Sequence, residues 1–363
     1  MIKMNDKWSS LQEVVLGRSY YPEFYSSIKN NKIKSCLSRI ADETEQDYLN
    51  FEHQLKTHGI KVHRPCLDVH DRIEHYVNDQ GKITTSMQTS DGIKINTCES
   101  PDQFVSDCLI PRPPMFPRDS WAIVDGDIWL TNADHPATRN LLEIIANDHG
   151  SKIIDCYKEF QSSFSGGDIF QIGTDIFLGV GHVNTLSCDF IRSKYPRLRW
   201  NFVDIVGHSD GVYHPIKPGA MISLHDMSIY EKSFPGWDIL YLPNQSWYAV
   251  KPFLDLKRRN HGKWWLPGSE DNHEFTNFVE TWLNNWVGYV EETVFDVNCL
   301  VIDEHNVFVG NYNKEVFDFL KKHNIEPHIV PFRHRYFWDG GLHCITLEIR
   351  RTGEIQDYFT DLS

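Results

Sequence analysis

The sequence predicts an α/β fold built from repeated ββαβ units. Four segments each contain an apolar strand, a tight polar turn and a second apolar strand, with the alternating apolar residues of a β-hairpin. The hairpins tend to be followed by a helical stretch and then by another strand. The alternative is an α+β domain without internal symmetry, but four similar occurrences favour the repeat. The hairpin segments are 119–132, 167–180, 210–224 and 296–311.

The segments between the hairpins follow the same plan. Near the N-terminus, a strand at 13–17 precedes a helix near 38–58, and a further strand follows at 60–65. A glycine is expected to end each of the first two helices, Gly59 here and Gly150 after the first hairpin. The fourth hairpin is also followed by a helical pattern and a strand.

Two stretches interrupt the repeat. Residues 66–113 are polar with few apolar positions, and residues 226–290 are rich in tryptophan. Neither is flanked by a linker rich in Gly, Ser or Pro of the kind that separates domains. We therefore predict a single domain over 1–363, with both stretches as insertions that serve as lids or oligomer contacts.

Composition and charge exclude several classes of function. The 363 residues carry a net charge of −14 and no basic tract, so nucleic acid is not an expected partner. The N-terminus lacks the apolar core of a signal peptide, and no apolar run is long enough to span a bilayer. Eight scattered cysteines without a CxxC motif indicate reduced thiols, and we expect a cytoplasmic protein.

Common metal and nucleotide motifs are also missing from the sequence. It contains no HExxH, no paired Cys/His ligand spacing, no GxGxxG after a strand, no GxxxxGK[ST] and no GxSxG. The histidines at 70 and 75 are interpreted as part of a polar loop.

Reactive side chains concentrate at the starts of the predicted strands. If the repeats surround an axis, these starts converge and bring a thiol, an imidazole and at least two carboxylates together. Cys36, Cys156, Cys188 and Cys299 are instead expected to be small core residues. The reactive residues are Asp119, Ser165, Asp168, His208, Asp210, His343 and Cys344.

A guanidinium group is the natural substrate for such a set. It is planar and cationic, and carboxylates can accept its paired N–H bonds while its central carbon stays open to attack. A thiolate suits that attack, and a neighbouring cation favours the ionised sulfur. A histidine can then protonate the departing amine. Each residue also has an ordinary structural explanation, so the prediction depends on their recurrence at equivalent positions.

Several motifs resemble the amidinotransferases of the guanidino-group-modifying enzymes. The similarity runs over nearly the whole length, through WSSLQEVVLGR, FPRD, HSDGVYHPIKPG, VNCLVIDEHNVFV and, most specifically, GGLHCITLEIRRTGEIQDY. This family includes the arginine:glycine and inosamine-phosphate amidinotransferases. Related deiminases share the Gly-Gly and Cys but usually lack the Ile-Arg-Arg continuation.

The resemblance implies a fold, an activity and site residues. The fold would be a five-bladed pseudosymmetric α/β propeller, called a pentein. Cys344 would be the nucleophile, His208 the general acid and base, and Asp119 and Asp210 the guanidinium ligands. Asn298 matches an asparagine near the active centre of the family. No metal or organic cofactor is expected, the partners would be a small guanidine donor and an amine acceptor, and homo-oligomerisation stays open.

Two departures from the family pattern bear on function. Ser165 stands where the family normally has an acid that supports the histidine, and Asp168 is a partial substitute. The stretch after the HxD hairpin lacks the basic residue of arginine-using relatives, with only Lys232 downstream. The alternatives are an arginine, agmatine or peptidyl-arginine deiminase or dihydrolase with the same residues, and a guanidinium-binding protein with impaired catalysis.

Overall fold

The structure is a computed structural model, and it describes ten segments of the chain. These are residues 2–68, 72–77, 83–88, 94–98, 112–180, 185–205, 208–224, 232–242, 264–288 and 294–359. The strands are β1 (Leu11–Leu16), β2 (Lys61–His63), β3 (Arg72–Val77), β4 (Ile83–Gln88), β5 (Lys94–Cys98), β6 (Trp121–Val124), β7 (Asp127–Leu130), β8 (Ile153–Asp155), β9 (Ile169–Ile172), β10 (Asp175–Gly179), β11 (Arg199–Val203), β12 (Tyr213–Lys217), β13 (Ala220–Ser223), β14 (Asp238–Tyr241), β15 (Leu300–Asp303), β16 (Asn306–Val309), β17 (Glu326–Ile329) and β18 (Thr346–Arg351).

The helices are mostly short. They are α1 (Asn31–Thr57), α2 (Pro117–Ser120), α3 (Pro136–His149), α4 (Cys156–Phe160), α5 (Thr185–Lys194), α6 (Ser209–Val212), α7 (His273–Trp282), α8 (Val294–Val297), α9 (Lys314–Lys322) and α10 (Arg335–Trp338). No helix in the described segments is long and apolar enough to cross a membrane.

Five three-stranded sheets share one topology. In each sheet the first two strands are antiparallel, and the third runs parallel to the middle strand. The four predicted hairpins form the antiparallel pairs of four of these sheets, which confirms the repeated α/β fold. The strand orders are β18-β1-β2, β6-β7-β8, β9-β10-β11, β12-β13-β14 and β15-β16-β17.

The remaining unit joins the two ends of the chain. Its antiparallel pair consists of β1 and β18, with Leu16 opposite Thr346 and Val14 opposite Glu348. Because its two strands lie more than 300 residues apart, this hairpin has no local turn signal. The N- and C-terminal strands therefore close the set of five units.

Helices α1, α3, α5 and α9 each connect the middle strand of a unit to its third strand. Helix α1 begins earlier than predicted because the Asn30 side chain caps it, accepting hydrogen bonds from the main-chain N–H groups of Lys32 and Ile33. Gly59 and Gly150 follow the ends of α1 and α3 with φ of +76° and +66°, as expected for glycine at these positions.

Both predicted insertions are described only in part. The 66–113 stretch contains a sixth sheet, β3-β4-β5, which is antiparallel throughout. The 226–290 stretch supplies β14 to the fourth unit, and its Trp286 is fully buried and stacks on Trp338 at 5.9 Å. The residues at 70 and 247 and much of both stretches lie outside the described segments, so a role as lid or oligomer contact stays a prediction.

A short helical turn precedes the first strand of every unit. These turns are α2, a 3₁₀ turn at 166–168, α6, α8 and the turn at 342–345 before β18. Helix α6 packs against both α8 and the 3₁₀ turn, and α2 packs against the 3₁₀ turn and β18. The predicted reactive residues lie in these turns or directly beside them.

Candidate active site

Cys344 lies in a buried hydrogen-bond cluster directly before β18. Its Sγ accepts a hydrogen bond from Asn298 Nδ2 at 3.0 Å. The same thiol donates to Asp210 Oδ2 at 3.4 Å. All three residues are at least nine-tenths buried. The structure thus brings together three predicted site residues from three different units.

Asn298 also shapes the backbone that carries the thiol. Its Oδ1 accepts hydrogen bonds from the main-chain N–H groups of His343 at 2.9 Å and Cys344 at 3.0 Å. Its Nδ2 donates to the main-chain oxygen of Asp210 at 3.0 Å. A Cβ at Gly341 would lie 2.6 Å from Asn298 Oδ1. The Gly-Gly motif is therefore explained in part by the close approach of this amide.

Asp210 is positioned from two sides. His343 Nδ1 lies 2.7 Å from its Oδ2, and Gly167 packs so closely that a Cβ there would be 2.8 Å from its Oδ1. This Oδ1 is buried and has no hydrogen-bond partner among the described atoms. Burial raises the pKa of Asp210, although nearby His208 and Arg118 oppose that effect. One carboxylate oxygen is thus left for a cationic ligand.

His208 and Asp119 form the more exposed side of the site. Their Nδ1 and Oδ1 atoms are 3.8 Å apart, which is an electrostatic contact rather than a hydrogen bond. Burial alone would lower the pKa of His208, but the surrounding carboxylates raise it above its ordinary value. In decreasing order of effect, these carboxylates belong to Asp119, Asp210, Asp168 and Asp339.

Ser165 and Asp168 cap the 3₁₀ turn that lies against Asp210. Ser165 Oγ accepts from the N–H of Gly167 at 3.1 Å, and Asp168 Oδ2 accepts from the N–H of Ser165 at 3.2 Å. Asp168 Oδ1 accepts from the N–H of Ser209 at 2.9 Å. Burial raises the pKa of Asp168 to about 6. The carboxylate therefore joins two turns of the site by hydrogen bonds, and it acts electrostatically on His208.

The resting state of the thiol follows from its surroundings. Burial raises the pKa of Cys344, and the carboxylates of Asp210 and Asp119 raise it further, while the hydrogen bond from Asn298 lowers it. Cys344 is therefore a neutral thiol at neutral pH. A cation held between the two carboxylates would cancel their repulsion of a thiolate.

A cluster of buried charged side chains, in which Glu348 pairs with Lys7, Arg118 and Arg351, lies beside the site. Glu348 lies 3.2 Å from Lys7 Nζ and 3.4 Å from Arg351 Nη2, and it also pairs with Arg118. Burial lowers the pKa of Arg118 to about 10, and the Arg118 charge in turn lowers the pKa of Asp210. Arg118 belongs to the FPRD motif, so this motif supplies both Asp119 and a cation of the cluster.

Three residues near the site have no assigned role in the sequence-based prediction. His343 is among the predicted reactive residues without a role, and the structure places it against Asp210. Arg112 has its Nη1 3.7 Å from Asp119 Oδ2. Asp339 acts electrostatically on both His208 and Arg112, and it adopts a left-handed backbone with φ of +55°. The only sequence signal for Asp339 is its place directly before the Gly-Gly pair.

The four cysteines expected to be core residues are described by the structure. Cys156, Cys188 and Cys299 are buried and Cys36 is half-buried, and all are free thiols. Burial raises the pKa of Cys299 to about 12, as expected for an inert core thiol. Within the described segments, no group of three or more His, Cys, Asp or Glu side chains is arranged to hold a metal ion.

Amidinotransferases are among the proteins that the chain resembles in sequence. It is 26% identical over 208 residues to the mitochondrial glycine amidinotransferase of Xenopus tropicalis, and this match covers 56% of the chain and 42% of the relative. It is 24% identical over 208 residues to the L-arginine:L-lysine amidinotransferase of Pseudomonas savastanoi pv. phaseolicola, covering 55% and 48%. The chain thus spans less than half the length of these curated relatives. No family model matches it.

Solved structures resemble the chain over its whole length. SxtG, an amidinotransferase from Microseira wollei in the saxitoxin biosynthetic pathway, matches with a TM-score of 0.63 at 19% identity. The inosamine-phosphate amidinotransferase of Streptomyces griseus matches with a TM-score of 0.62 at 15% identity. Each match covers 99% of both chains, which confirms the five-unit α/β fold. In sequence and in fold, the chain therefore resembles the amidinotransferase family, as its motifs predict.

Proposed function

We propose that the protein is an amidinotransferase that moves an amidino group from arginine or an arginine-like donor to an amine acceptor. The observation that carries this proposal is the buried cluster of Cys344, Asn298 and Asp210, in which the thiol contacts both polar side chains. The names of the relatives support transfer as the reaction type. The activity rests on the chemistry of this site, since the sequence match covers only part of those relatives.

The donor's guanidinium would lie between Asp119 and Asp210. Each of these carboxylates has a buried Oδ1 without a hydrogen-bond partner among the described atoms. Paired N–H groups on a planar cation suit such acceptors. Binding of this cation would offset the two negative charges that raise the pKa of Cys344. The substrate would therefore generate the thiolate that attacks it.

The transfer would proceed in two balanced steps. In the first step, the Cys344 thiolate forms a bond to the guanidine carbon, and the bond from that carbon to the donor's chain nitrogen breaks. The proton that the Cys344 thiol loses passes to His208, whose pKa the surrounding carboxylates raise, and His208 gives this proton to the departing amine. In the second step, the acceptor amine attacks the amidino carbon while His208 takes its proton, and the bond to sulfur breaks.

The remaining site residues would act by positioning. Asn298 would hold the thiol and the turn that carries it, and Asp168 with Ser165 would fix the turns beside Asp210. We keep the expectation of a cytoplasmic, reducing compartment because a nucleophilic thiol must stay reduced. The proposed partners are a small guanidine and an amine, and the proposed chemistry requires no cofactor.

Product analysis tests this function. The protein is incubated with arginine or agmatine, with and without glycine or lysine, and the products are separated by mass. We expect ornithine or putrescine together with an amidinated acceptor. Cys344→Ala should lower turnover by at least about a thousandfold, because no other thiol lies in the described site. Cys36→Ala removes a thiol outside the site and serves as the matched control.

Two outcomes would contradict the proposal. Release of ammonia with citrulline or its agmatine counterpart would identify a deiminase instead. Full turnover by Cys344→Ala would exclude the covalent route altogether.

A further inference from the structure

A cavity of about 460 Å³ opens beside Asp119, and none of the steps above assigns it a role. Asp119 forms part of its lining, so the cavity adjoins the guanidinium site. Its volume is in the range of small-molecule pockets. Its polar and charged lining residues are Arg112, Asp119, Ser120, Asn132, Asp134, His135, Thr138 and Asn285.

Arg112 gives this cavity a positive charge, whereas the neighbouring guanidinium site is formed by the carboxylates of Asp119 and Asp210. Its guanidinium stacks on the Phe116 ring at 3.9 Å and donates from Nη2 to the main-chain oxygen of Trp338. Its Nη1 is 3.7 Å from Asp119 Oδ2, longer than a hydrogen bond, and its Nε has no hydrogen-bond partner among the described atoms. Arg112 is therefore held in place with donor capacity left over.

The other titratable groups of the lining do not compete for an anion. Asp134 is paired with Arg139 at 2.7 Å. Burial lowers the pKa of His135 to about 4, so its ring is neutral at neutral pH. Its Nδ1 accepts from the N–H of Ala137, and its Nε2 contacts the Tyr20 hydroxyl. Arg112 is thus the cation among the described lining residues.

We propose that Arg112 binds a carboxylate on the substrate within this cavity, while Asp119 faces the amine or guanidine end of the same molecule. The positive charge of Arg112 and the free donors on its Nη1 suit a carboxylate oxygen. This inference rests on the proposed function, since it names the substrate class at that site. The carboxylate could be carried by either substrate. In the two proposed steps, the donor's departing amine and the acceptor's attacking amine occupy the same position beside the amidino carbon.

The arrangement of the two charged groups favours a compact zwitterion. In an α-amino acid, a single carbon atom joins the amine to the carboxylate. This short spacing matches the 3.7 Å between Asp119 Oδ2, which would face the amine, and Arg112 Nη1, which would face the carboxylate. In arginine, a whole side chain separates the guanidinium from the carboxylate. Amino-acid acceptors should therefore gain more from Arg112 than the donor does.

Calorimetric titration on a Cys344→Ala background tests this proposal without any turnover. Three matched pairs of probes differ only in the carboxylate: glycine and methylamine, lysine and cadaverine, and arginine and agmatine. In the Cys344→Ala protein without further changes, we expect at least one of the three carboxylate-bearing probes to bind about tenfold or more tightly than the matched amine that lacks the carboxylate. Arg112→Gln should reduce that preference to about twofold or less, and Arg112→Lys should give an intermediate value.

Arg197→Gln is the matched control. It removes an arginine that pairs with Asp125 outside the cavity lining, and it should leave the preference unchanged. Cooperative thermal unfolding of every variant shows that the fold is kept. Tighter binding of glycine or lysine than of its matched amine would show that Arg112 binds the carboxylate of the acceptor. Tighter binding of arginine than of agmatine, without a difference in the other two pairs, would show that Arg112 binds the carboxylate of the donor.

The proposal is overturned if the parent shows no preference for the carboxylate, or if Arg112→Gln keeps it. The titration measures binding in a variant without turnover. Its result can therefore be interpreted even if the product analysis shows that the protein does not transfer amidino groups.

Discussion

Asn298 organises the candidate site through a single amide group. Its oxygen accepts two main-chain N–H groups of the turn that carries Cys344, and its nitrogen reaches both the sulfur and the backbone of Asp210. A buried amide with all these contacts satisfied fixes one geometry, because each lost hydrogen bond would leave an unpaired polar group. The family resemblance points to this residue but gives it no role.

Ser165 stands at the position where an acid is expected to support the histidine. The side chains of Ser165 and Asp168 are occupied by main-chain N–H groups of their own turn and of Ser209. His208 Nδ1 instead lies 3.8 Å from Asp119 Oδ1. The sequence suggested Asp168 as the substitute acid, whereas the geometry favours Asp119. Sequence reasoning could name the carboxylates near the histidine but not rank their distances.

Gly167 makes a specific prediction at this scale. A Cβ at this position would lie 2.8 Å from Asp210 Oδ1, so Gly167→Ala must displace the carboxylate that contacts the thiol. We expect kcat/KM for the donor to fall by about tenfold or more, since small misplacements in a reacting geometry are costly. Steady-state kinetics with arginine or agmatine measures this change.

Gly310→Ala is the matched control for that variant. A Cβ there meets only an ordinary contact at 3.6 Å, so activity should be kept. Similar kcat/KM values for the two variants would show that the close approach at Gly167 has no part in catalysis.

At the scale of elements, the short turns before the first strands carry the chemistry. The alternating apolar pattern predicts the hairpins, and the turn residues mark where they reverse: Asp125 and Gly126, for example, adopt φ of +56° and +82°. The positions of the reactive residues relative to these strands could therefore be predicted. Their contacts could not, because they depend on how separate units pack.

Glu13 links several elements around β1. Its carboxylate lies 2.7 Å from His63 Nε2 and 3.0 Å from Lys61 Nζ on β2, and 3.2 Å from His149 Nε2 at the end of α3. Burial alone would raise the pKa of Glu13, but these hydrogen bonds lower it to about 2. The ionised carboxylate thus joins the first two units.

The lowered pKa predicts a pH-dependent stability. Because the folded-state pKa lies below the ordinary value of 4.5, the stabilisation is present above that pH and is lost as the pH falls towards 2. Glu13→Gln should lower the free energy of unfolding by about 2 kcal/mol at pH 7. The difference from wild type should shrink steadily below pH 4. Urea unfolding at several pH values measures both.

Glu354→Gln provides the comparison for an exposed ion pair. Glu354 pairs with Lys3 at the surface, so its loss should have little effect at any pH. A Glu13→Gln variant as stable as Glu354→Gln at pH 7 would contradict the account of this cluster.

At the scale of the whole molecule, the chain ends complete the structure. Strands β1 and β18 form the fifth antiparallel pair. Lys7 from near one end joins Glu348 and Arg351 from near the other in the buried cluster beside the site, which also contains Arg118. Removing one partner from such a cluster leaves buried charge without compensation. The fold and the support of the site therefore depend on the same pairing.

The sequence predicts four of the five units from local signals alone. In the fifth unit, local signals predict β1, α1 and β2, but not the antiparallel pairing of β1 with β18, because those two strands come from opposite ends of the chain. The family resemblance supplies this unit as the fifth. The cavity beside Asp119 and the proposed role of Arg112 depend on the packing of loops, α3 and the segment at 112–120. No local pattern in the sequence encodes that packing.

The central claim is that Cys344 carries the amidino group between donor and acceptor. Intact-protein mass spectrometry after mixing with arginine alone tests it most directly, with Cys344→Ala alongside. We expect the mass of the protein to increase by one amidino group and ornithine to be released. We expect no adduct on Cys344→Ala, and we expect the adduct to disappear when an amine is added. An adduct that retains the carbon chain of arginine, or one that also forms on Cys344→Ala, would contradict it.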